Sequence, residues 1–189
     1  MPSIRQDVPM KSLGRPAVLL RPPELRDESQ VAQAQAELAA EDFEFVFRNP
    51  EEPWPSYIAR VGQERLGLDI APDRVPSTFL LACVDGDIVG RVSIRHELNA
   101  YLTSVGGHIG YAVRPAYRRR GYARSILRQS LELARDIGLC RVLITCDDDN
   151  AASVRLIESF GGRLENVIAT DAGSMPTRRY WIDPSHHVD

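Results

Sequence analysis

The sequence has few cysteines, few aromatic residues and no long apolar run. Its 189 residues include three cysteines, Cys83, Cys140 and Cys146, and none of them has CxxC spacing. This odd, scattered set argues against a disulfide framework or a zinc site and predicts reduced thiols. Apolar stretches such as residues 79–84 are far shorter than the ~20 residues that span a bilayer, and the N-terminal segment lacks the apolar centre of a signal peptide. We therefore expect a cytoplasmic protein.

An excess of charge of one sign is also missing. The formal net charge is -3, so the chain as a whole has no general attraction to nucleic acid. The apolar fraction of 43% and the charged fraction of 26% are close to those of soluble globular proteins. A chain of 189 residues suffices for one domain with a full core. We predict a single domain, 1–189, that begins with an irregular segment at residues 1–16.

Hydrophobic periodicity and turn residues predict two N-terminal helices, a β-hairpin and then alternating strands and helices. The predicted helices are residues 27–40, 56–66, 122–137 and 150–160. The predicted strands are residues 17–21, 78–84, 88–96, 107–113, 141–146, 163–169 and 178–182. The proline-rich residues 49–55 are predicted to form a loop. This order of elements predicts an α/β (α+β) fold, with a mixed, mostly antiparallel central sheet flanked by helices.

Three arginines and a glycine stand at the start of a predicted helix. Arg118, Arg119 and Arg120 place positive charge where the helix dipole is already positive and where backbone N–H groups lack partners. Gly121 lets a ligand approach the backbone. The pattern predicts a site for phosphates, although the local sequence alone is explained equally well by a solvated arginine cluster.

The surrounding sequence HIGYAVRPAYRRRGYARSIL, residues 108–127, resembles the cofactor motif [QR]-x-x-G-x-[GA] of the GNAT superfamily of N-acetyltransferases. Arg118, Gly121 and Ala123 match that motif. The sequence Asn150-Ala151-Ala152-Ser153 resembles the second cofactor motif, N-x-x-[AS]. The resemblance, which is strongest to a bacterial branch of the superfamily, spans residues 78–182 as the cofactor-binding core. It implies central strands that splay apart at the cofactor site.

This resemblance implies acetyl-CoA as cosubstrate, no metal, and transfer of the acetyl group to the primary amine of a small molecule or peptide by direct attack. The cofactor-binding residues that it implies are Ala112, Val113, Arg114, Arg118, Arg119, Arg120, Gly121, Tyr122, Ala123, Asn150 and Ser153. It identifies neither the acceptor nor the oligomeric state, and a homodimer is among the assemblies it allows. No nucleic-acid or membrane partner is expected. A catalytically inactive acyl-CoA-binding sensor or interaction domain is the alternative.

The usual catalytic residues of the superfamily are absent. Ile157 replaces the tyrosine that often serves as general acid, and Thr145 replaces the glutamate that serves as general base in some members. We therefore consider His108 as the general base, because its ordinary pKa is near neutral, with a hydrogen-bonded structural histidine as the alternative. The candidate acceptor-binding residues are His96, Glu97 and Asn99, and the first two are also the next candidates for the base.

Several other polar residues have structural interpretations. Asp147, Asp148 and Asp149 are expected to cap the following helix rather than to bind a metal. Cys146 is expected to be a core thiol rather than an acyl carrier. The general acid stays unassigned, because packing is the commoner role of the nearby aromatic residues Tyr111, Tyr117 and Tyr122. His186 and His187 are expected to lie in solvent without a role.

Overall fold

Four α-helices and seven strands make up the part of the chain that the computed structural model describes, residues 17–169 and 175–185. The helices are α1 (Glu28–Ala39), α2 (Trp54–Leu66), α3 (Tyr122–Asp136) and α4 (Ala151–Ser159). The strands are β1 (Leu19–Arg21), β2 (Ser77–Val84), β3 (Asp87–Arg95), β4 (Ile109–Val113), β5 (Val142–Asp147), β6 (Arg163–Ile168) and β7 (Thr177–Ile182). The predicted irregular segment 1–16, and also His186 and His187, lie outside the described residues. No described helix is both long enough and apolar enough to cross a membrane.

The strands form two antiparallel sheets. One has the order β1-β2-β3-β4 and the other has the order β5-β7-β6. The predicted hairpin joins β2 to β3, and Asp85 and Gly86 form its turn with φ angles of 50° and 92°. Positive φ angles at both residues match the twist of antiparallel strands, which explains the Asp-Gly pair. The predicted fold, a largely antiparallel α+β arrangement flanked by helices, is confirmed.

Helices cover both faces of the first sheet, because each strand directs alternate residues to opposite sides. In β2, Leu80 and Ala82 belong to a core shared with α3, α4 and the second sheet, whereas Phe79 and Leu81 belong to a second core shared with α1 and α2. The first sheet therefore separates α3 from the layer formed by α1 and α2.

The prediction of a loop over residues 49–55 is wrong at its C-terminal end. Helix α2 begins at Trp54, with Pro53 as its N-cap and Pro55 in its first turn. N–H groups in the first turn have no intrahelical acceptor, so a proline there breaks no hydrogen bond. Trp54 is buried as a result, and its indole N–H donates to the Glu24 carbonyl at 3.0 Å.

The two sheets meet at the beginning of β4 and β5 and then separate. The backbone N–H of His108 donates to the Leu143 carbonyl at 2.7 Å, and no ladder between the described strands joins β4 to β5. Gly107 has φ 63° at this contact, where a Cβ would lie 2.6 Å from the Leu143 carbonyl oxygen. We call the space between β4 and β5, bordered by Tyr111 and Cys146, the strand gap. It corresponds to the splayed strands that the family resemblance implies.

Candidate active site

A cavity of about 600 Å³ lies between α2 and the first sheet and extends into the strand gap. This volume is typical of sites for small ligands. We call it the central cavity. Residues that line it include Tyr57 and Glu64 of α2, Arg91 and Arg95 of β3, Tyr111 of β4, Cys146 of β5, and Asn150 and Ser153 at the start of α4.

The start of α3 presents backbone donors without partners. Gly121 is the N-cap with φ 84°, and no described side chain caps the helix. The first backbone hydrogen bond of α3 runs from the Ser125 N–H to the Gly121 carbonyl at 3.2 Å, which leaves the N–H groups of the first turn available. Arg119 and Arg120 are exposed beside them. Backbone donors, the helix dipole and two cations together make a site suited to an anion.

The side chains of Arg114 and Arg118 do not take part in this anion site. Arg114 is buried and donates two hydrogen bonds to the Glu37 carboxylate, at 2.7 and 2.9 Å. Arg118 donates two to Glu41, at 2.6 and 3.0 Å. These hydrogen bonds lower the pKa of both carboxyl groups. In the structure these two side chains attach the segment after β4 to α1 and to the turn that follows it, and their cofactor role stays a prediction.

Both ion pairs join residues 77 positions apart in the chain, so no local sequence pattern indicates them. The remaining predicted cofactor residues lie around the same segment of chain. Ala112 and Val113 are partly buried on β4, and Tyr122 and Ala123 are partly buried in the first turn of α3.

Asn150 and Ser153 lie together where α4 begins. Asn150 is the N-cap, and its Oδ1 accepts a hydrogen bond from the Ser153 N–H at 3.0 Å. The Tyr111 hydroxyl donates to Ser153 Oγ at 3.3 Å across the strand gap. Burial raises the pKa of Tyr111, so its hydroxyl keeps its proton at neutral pH. These contacts bring a proton donor and the second predicted motif to one wall of the central cavity.

The expectation that Asp147, Asp148 and Asp149 cap α4 is wrong. Asn150 is the cap, and Asp148 instead accepts a hydrogen bond from the Arg178 Nε at 2.7 Å. Asn is among the preferred N-cap residues because its side-chain oxygen reaches the N–H groups of the first turn. Within the described residues, no group of three or more His, Cys, Asp or Glu side chains is placed to hold a metal ion.

The position of His108 does not suit a general base. Its Nδ1 accepts a hydrogen bond from the backbone N–H of Leu143 at 2.9 Å, and its side chain is not part of the cavity wall. Burial, followed by the nearby charge of Arg95, lowers the pKa of His108 to about 4. The geometry favours the structural alternative, in which His108 joins β4 to β5.

Of the three predicted acceptor-binding residues, one lies on the wall of the central cavity and two do not. Asn99 lines the central cavity, but its Nδ2 donates to the Asp73 carbonyl and its Oδ1 accepts from the Leu102 N–H. His96 is bonded through Nε2 to the Thr78 hydroxyl at 2.9 Å and lies off the cavity wall. Glu97 is exposed and also lies off this wall.

The replaced catalytic positions are occupied by structural side chains. Ile157 is fully buried in the core, and Thr145 donates its hydroxyl proton to the Val105 carbonyl at 2.7 Å. Cys146 borders the strand gap, and burial together with the adjacent Asp147 raises the pKa of its thiol to about 11. A thiol with this pKa is protonated at neutral pH and is a poor nucleophile.

Two residues of the cavity wall, Arg91 and Arg95, were not among the predicted site residues. They occur in the sequence RVSIR, four residues apart in β3, and point to the same face as Ser93. Charged residues at inward positions of a buried strand are the signal that could have identified them.

Comparisons with known proteins agree with the fold and the motifs. The chain is 27% identical over 151 residues to the L-amino acid N-acetyltransferase AaaT of Escherichia coli (strain K12), covering 79% of this chain and 85% of the relative. Among solved structures, yncA of Salmonella typhimurium, a putative acetyltransferase with its cofactor acetyl-CoA, superposes with a TM-score of 0.62 at 16% identity, covering 92% of this chain and 97% of the other.

The Microcin C7 self immunity acetyltransferase MccE, in complex with acetyl-CoA and AMP, superposes with a TM-score of 0.64 at 17% identity, covering 88% of this chain and 92% of the other. The model of the Acetyltransferase (GNAT) family matches residues 34–161, which is more than half of the chain. The chain therefore belongs to the GNAT family of acetyltransferases.

Proposed function

We propose that this protein is an acetyl-CoA-dependent N-acetyltransferase that acetylates the primary amine of a small molecule by direct attack. The observation that carries the proposal is the arrangement of three features: the strand gap, the central cavity into which it opens, and the uncapped helix start that follows β4 in the chain. The two similar structures that contain bound acetyl-CoA support the cofactor assignment.

The described residues fit the cofactor at two places. The N–H groups at the start of α3, with Arg119, Arg120 and Gly121, would hold the pyrophosphate. The edge of β4 that faces the strand gap pairs with no described strand, so this edge, next to Ala112 and Val113, is open to the pantetheine arm. At its end the Val113 carbonyl accepts a hydrogen bond from the Arg118 Nε at 3.1 Å. When bound, acetyl-CoA would supply a thioester from which the acetyl group is transferred.

Tyr111 is the proposed proton donor to the thiolate that leaves the thioester. It borders the strand gap, and its hydroxyl is held by Ser153 and keeps its proton at neutral pH. Cys146 lies on the opposite border but is protonated, which favours direct attack of the amine over an acyl-cysteine intermediate.

Two further observations bear on the acceptor and on the compartment. The relative in Escherichia coli is named an L-amino acid N-acetyltransferase, which makes amino acids the first acceptors to test.

The free thiols bear on the compartment. Within the described residues, Cys83, Cys140 and Cys146 are free thiols, in keeping with a reducing compartment, and we propose the cytoplasm.

Calorimetric titration with acetyl-CoA tests the cofactor site. We expect saturable binding and a loss of at least about tenfold in affinity in Gly121→Glu, because the new carboxylate would face the pyrophosphate. Gly138→Glu is the matched control: Gly138 also has a positive φ, has open space around it and follows the opposite end of α3. Absence of binding to the unmodified protein, or equal affinity in both variants, would contradict the assignment.

The second candidate function is that of an acyl-CoA-binding sensor without turnover, and it is favoured by the buried Ile157, which stands where the family usually has its acid. Release of free thiol from acetyl-CoA only when an amine is added would support the enzyme. Tight binding of acetyl-CoA without thiol release, across amines, amino acids, peptides and aminoglycosides, would support the sensor.

A further inference from the structure

Two arginines on one face of β3 project into the central cavity. Arg91 and Arg95 are four residues apart, so in a strand they point to the same side. Both line the cavity, and Arg91 is only 2% exposed. Neither has a role in the cofactor site described above.

Neither arginine is neutralised by a described carboxylate. Arg91 donates from Nη1 to the Gly110 carbonyl at 2.9 Å and from Nη2 to the Glu44 carbonyl at 3.1 Å, and its buried Nε has no partner. Arg95 donates to the Gly106 carbonyl at 3.2 Å. None of the ion pairs between described residues includes either arginine. Buried charges are normally paired, because burial without an opposite charge is costly.

The lowered pKa values of the two arginines reflect the cost of burying their charges without a carboxylate. Burial, and then the charge of Arg95, lowers the pKa of Arg91 to about 9. Burial also lowers the pKa of Arg95. An anion bound between the two would remove the repulsion and restore the ordinary stability of both charged forms.

The rest of the cavity wall favours an anionic ligand that is also partly apolar. The Arg91 guanidinium lies 4.9 Å from the ring centre of Phe43 and 5.4 Å from that of Phe47. Glu64, the buried carboxylate of the wall, already accepts hydrogen bonds from Arg60 and Arg74, at 2.7 and 3.2 Å. The buried charge left without a partner is therefore positive.

The cation site is connected to the place of acetyl transfer. Arg91 binds the carbonyl of Gly110, and the next residue, Tyr111, borders the strand gap. Arg91 and Tyr111 therefore line the same cavity. A ligand whose anionic group contacts the arginines can therefore direct a nearby amine toward the gap.

We propose that Arg91 and Arg95 bind the anionic group of the acceptor, a carboxylate or phosphonate, so that the substrates are amino acids or similar zwitterionic amines rather than polyamines or aminoglycosides. This inference rests on the proposed acetyltransferase function. It assigns the acceptor class and two specificity-determining residues.

Matched acceptors provide the first test. Initial rates of thiol release are measured for L-phenylalanine, L-leucine and L-methionine, for their carboxamides, and for the amines that lack the carboxyl group altogether. We expect at least one amino acid to exceed its two counterparts without a carboxylate in kcat/KM by about 10- to 100-fold, the range typical of a hydrogen bond to a charged group.

Arginine variants provide the second test. In Arg91→Met and Arg95→Met, we expect the preference for the amino acid over its carboxamide to fall toward one, mainly through a higher KM, while acetyl-CoA affinity is retained. Arg128→Met, at an exposed position of α3, is the control and should keep the preference. A merely structural role of Arg91 would lower the rates with both acceptors equally and leave their ratio unchanged.

The outcomes separate the two proposals. Equal turnover of amino acids and of amines without a carboxylate would overturn the anion site and retain the enzyme. Saturable binding of amino acids in the presence of CoA, without turnover of any amine, would retain the anion site and overturn the enzyme. Absence of both binding and turnover of the amino acids would overturn the anion site. If the arginine variants do not fold, the acceptor comparison in the unmodified protein decides alone.

Discussion

Replacing His108 by asparagine tests whether this side chain is structural or catalytic. Asparagine Oδ1 can take the place of Nδ1 as the acceptor for the Leu143 N–H, but it does not titrate. Because His108 lies off the wall of the central cavity, we expect His108→Asn to keep kcat/KM within about threefold of the unmodified enzyme. Loss of a general base at this position would instead lower kcat by about 10²- to 10⁴-fold.

The same variant should change the pH dependence of stability. The pKa of His108 falls from 6.5 to about 4 in the folded protein. As the pH falls below 6.5, His108 becomes protonated in the unfolded chain but stays neutral in the folded protein. The contribution of His108 to stability is therefore complete above pH 6.5 and is lost progressively toward pH 4. Between about pH 7.5 and pH 4.5 the loss from this residue amounts to about 2.5 kcal/mol.

Urea unfolding at these two pH values measures the effect. The free energy of unfolding should fall less in His108→Asn than in the unmodified protein, because the other titrating groups are common to both. His108→Gln is the matched control, since its oxygen lies one bond too far to accept from the Leu143 N–H, and it should lose about 1–3 kcal/mol at pH 7.5. An unaltered pH dependence in His108→Asn, or a large loss of kcat, would refute the structural role.

Two further substitutions test other contacts. Glu37→Gln should lower the free energy of unfolding by about 2–4 kcal/mol in urea titrations, because it leaves the buried Arg114 without a neutralising carboxylate; a change below about 0.5 kcal/mol would contradict this role. Tyr111→Phe should lower kcat by about 10²- to 10⁴-fold with unchanged acetyl-CoA affinity, because it removes only the hydroxyl that donates to Ser153; an unchanged kcat would exclude Tyr111 as the acid.

The sequence predicted those elements whose signals are local. The hairpin at Asp85 and Gly86 and the amphipathic helix α3 have patterns that are complete within a few residues. The π-helical turn Leu102–Gly106 was not among the predicted elements. Its first turn is fixed by Asn99, which also bonds to Asp73 in a distant loop, and such a contact leaves no periodic pattern.

The site was predicted in its motifs but not in its side-chain partners. Gly121 and Asn150 lie at helix starts, as expected, because backbone geometry at a strand-to-helix turn is encoded next to it. Whether Arg118 binds a phosphate or Glu41 depends on a residue 77 positions away in the chain. The tertiary partner therefore decides the role, and the motif alone does not reveal it.

Three buried or partly buried arginines show how the presence or absence of a carboxylate partner bears on function. Arg114 has Glu37 as a partner, so its charge is balanced within the protein and its role is structural. Within the described residues, Arg91 and Arg95 donate hydrogen bonds to backbone carbonyls and to no carboxylate, and a carbonyl satisfies a hydrogen bond but does not neutralise charge. Since all three arginines lie in or next to apolar strands, their sequence environments are alike. Charge balance in the folded protein, rather than burial or motif, is what distinguishes the arginines proposed to bind the acceptor.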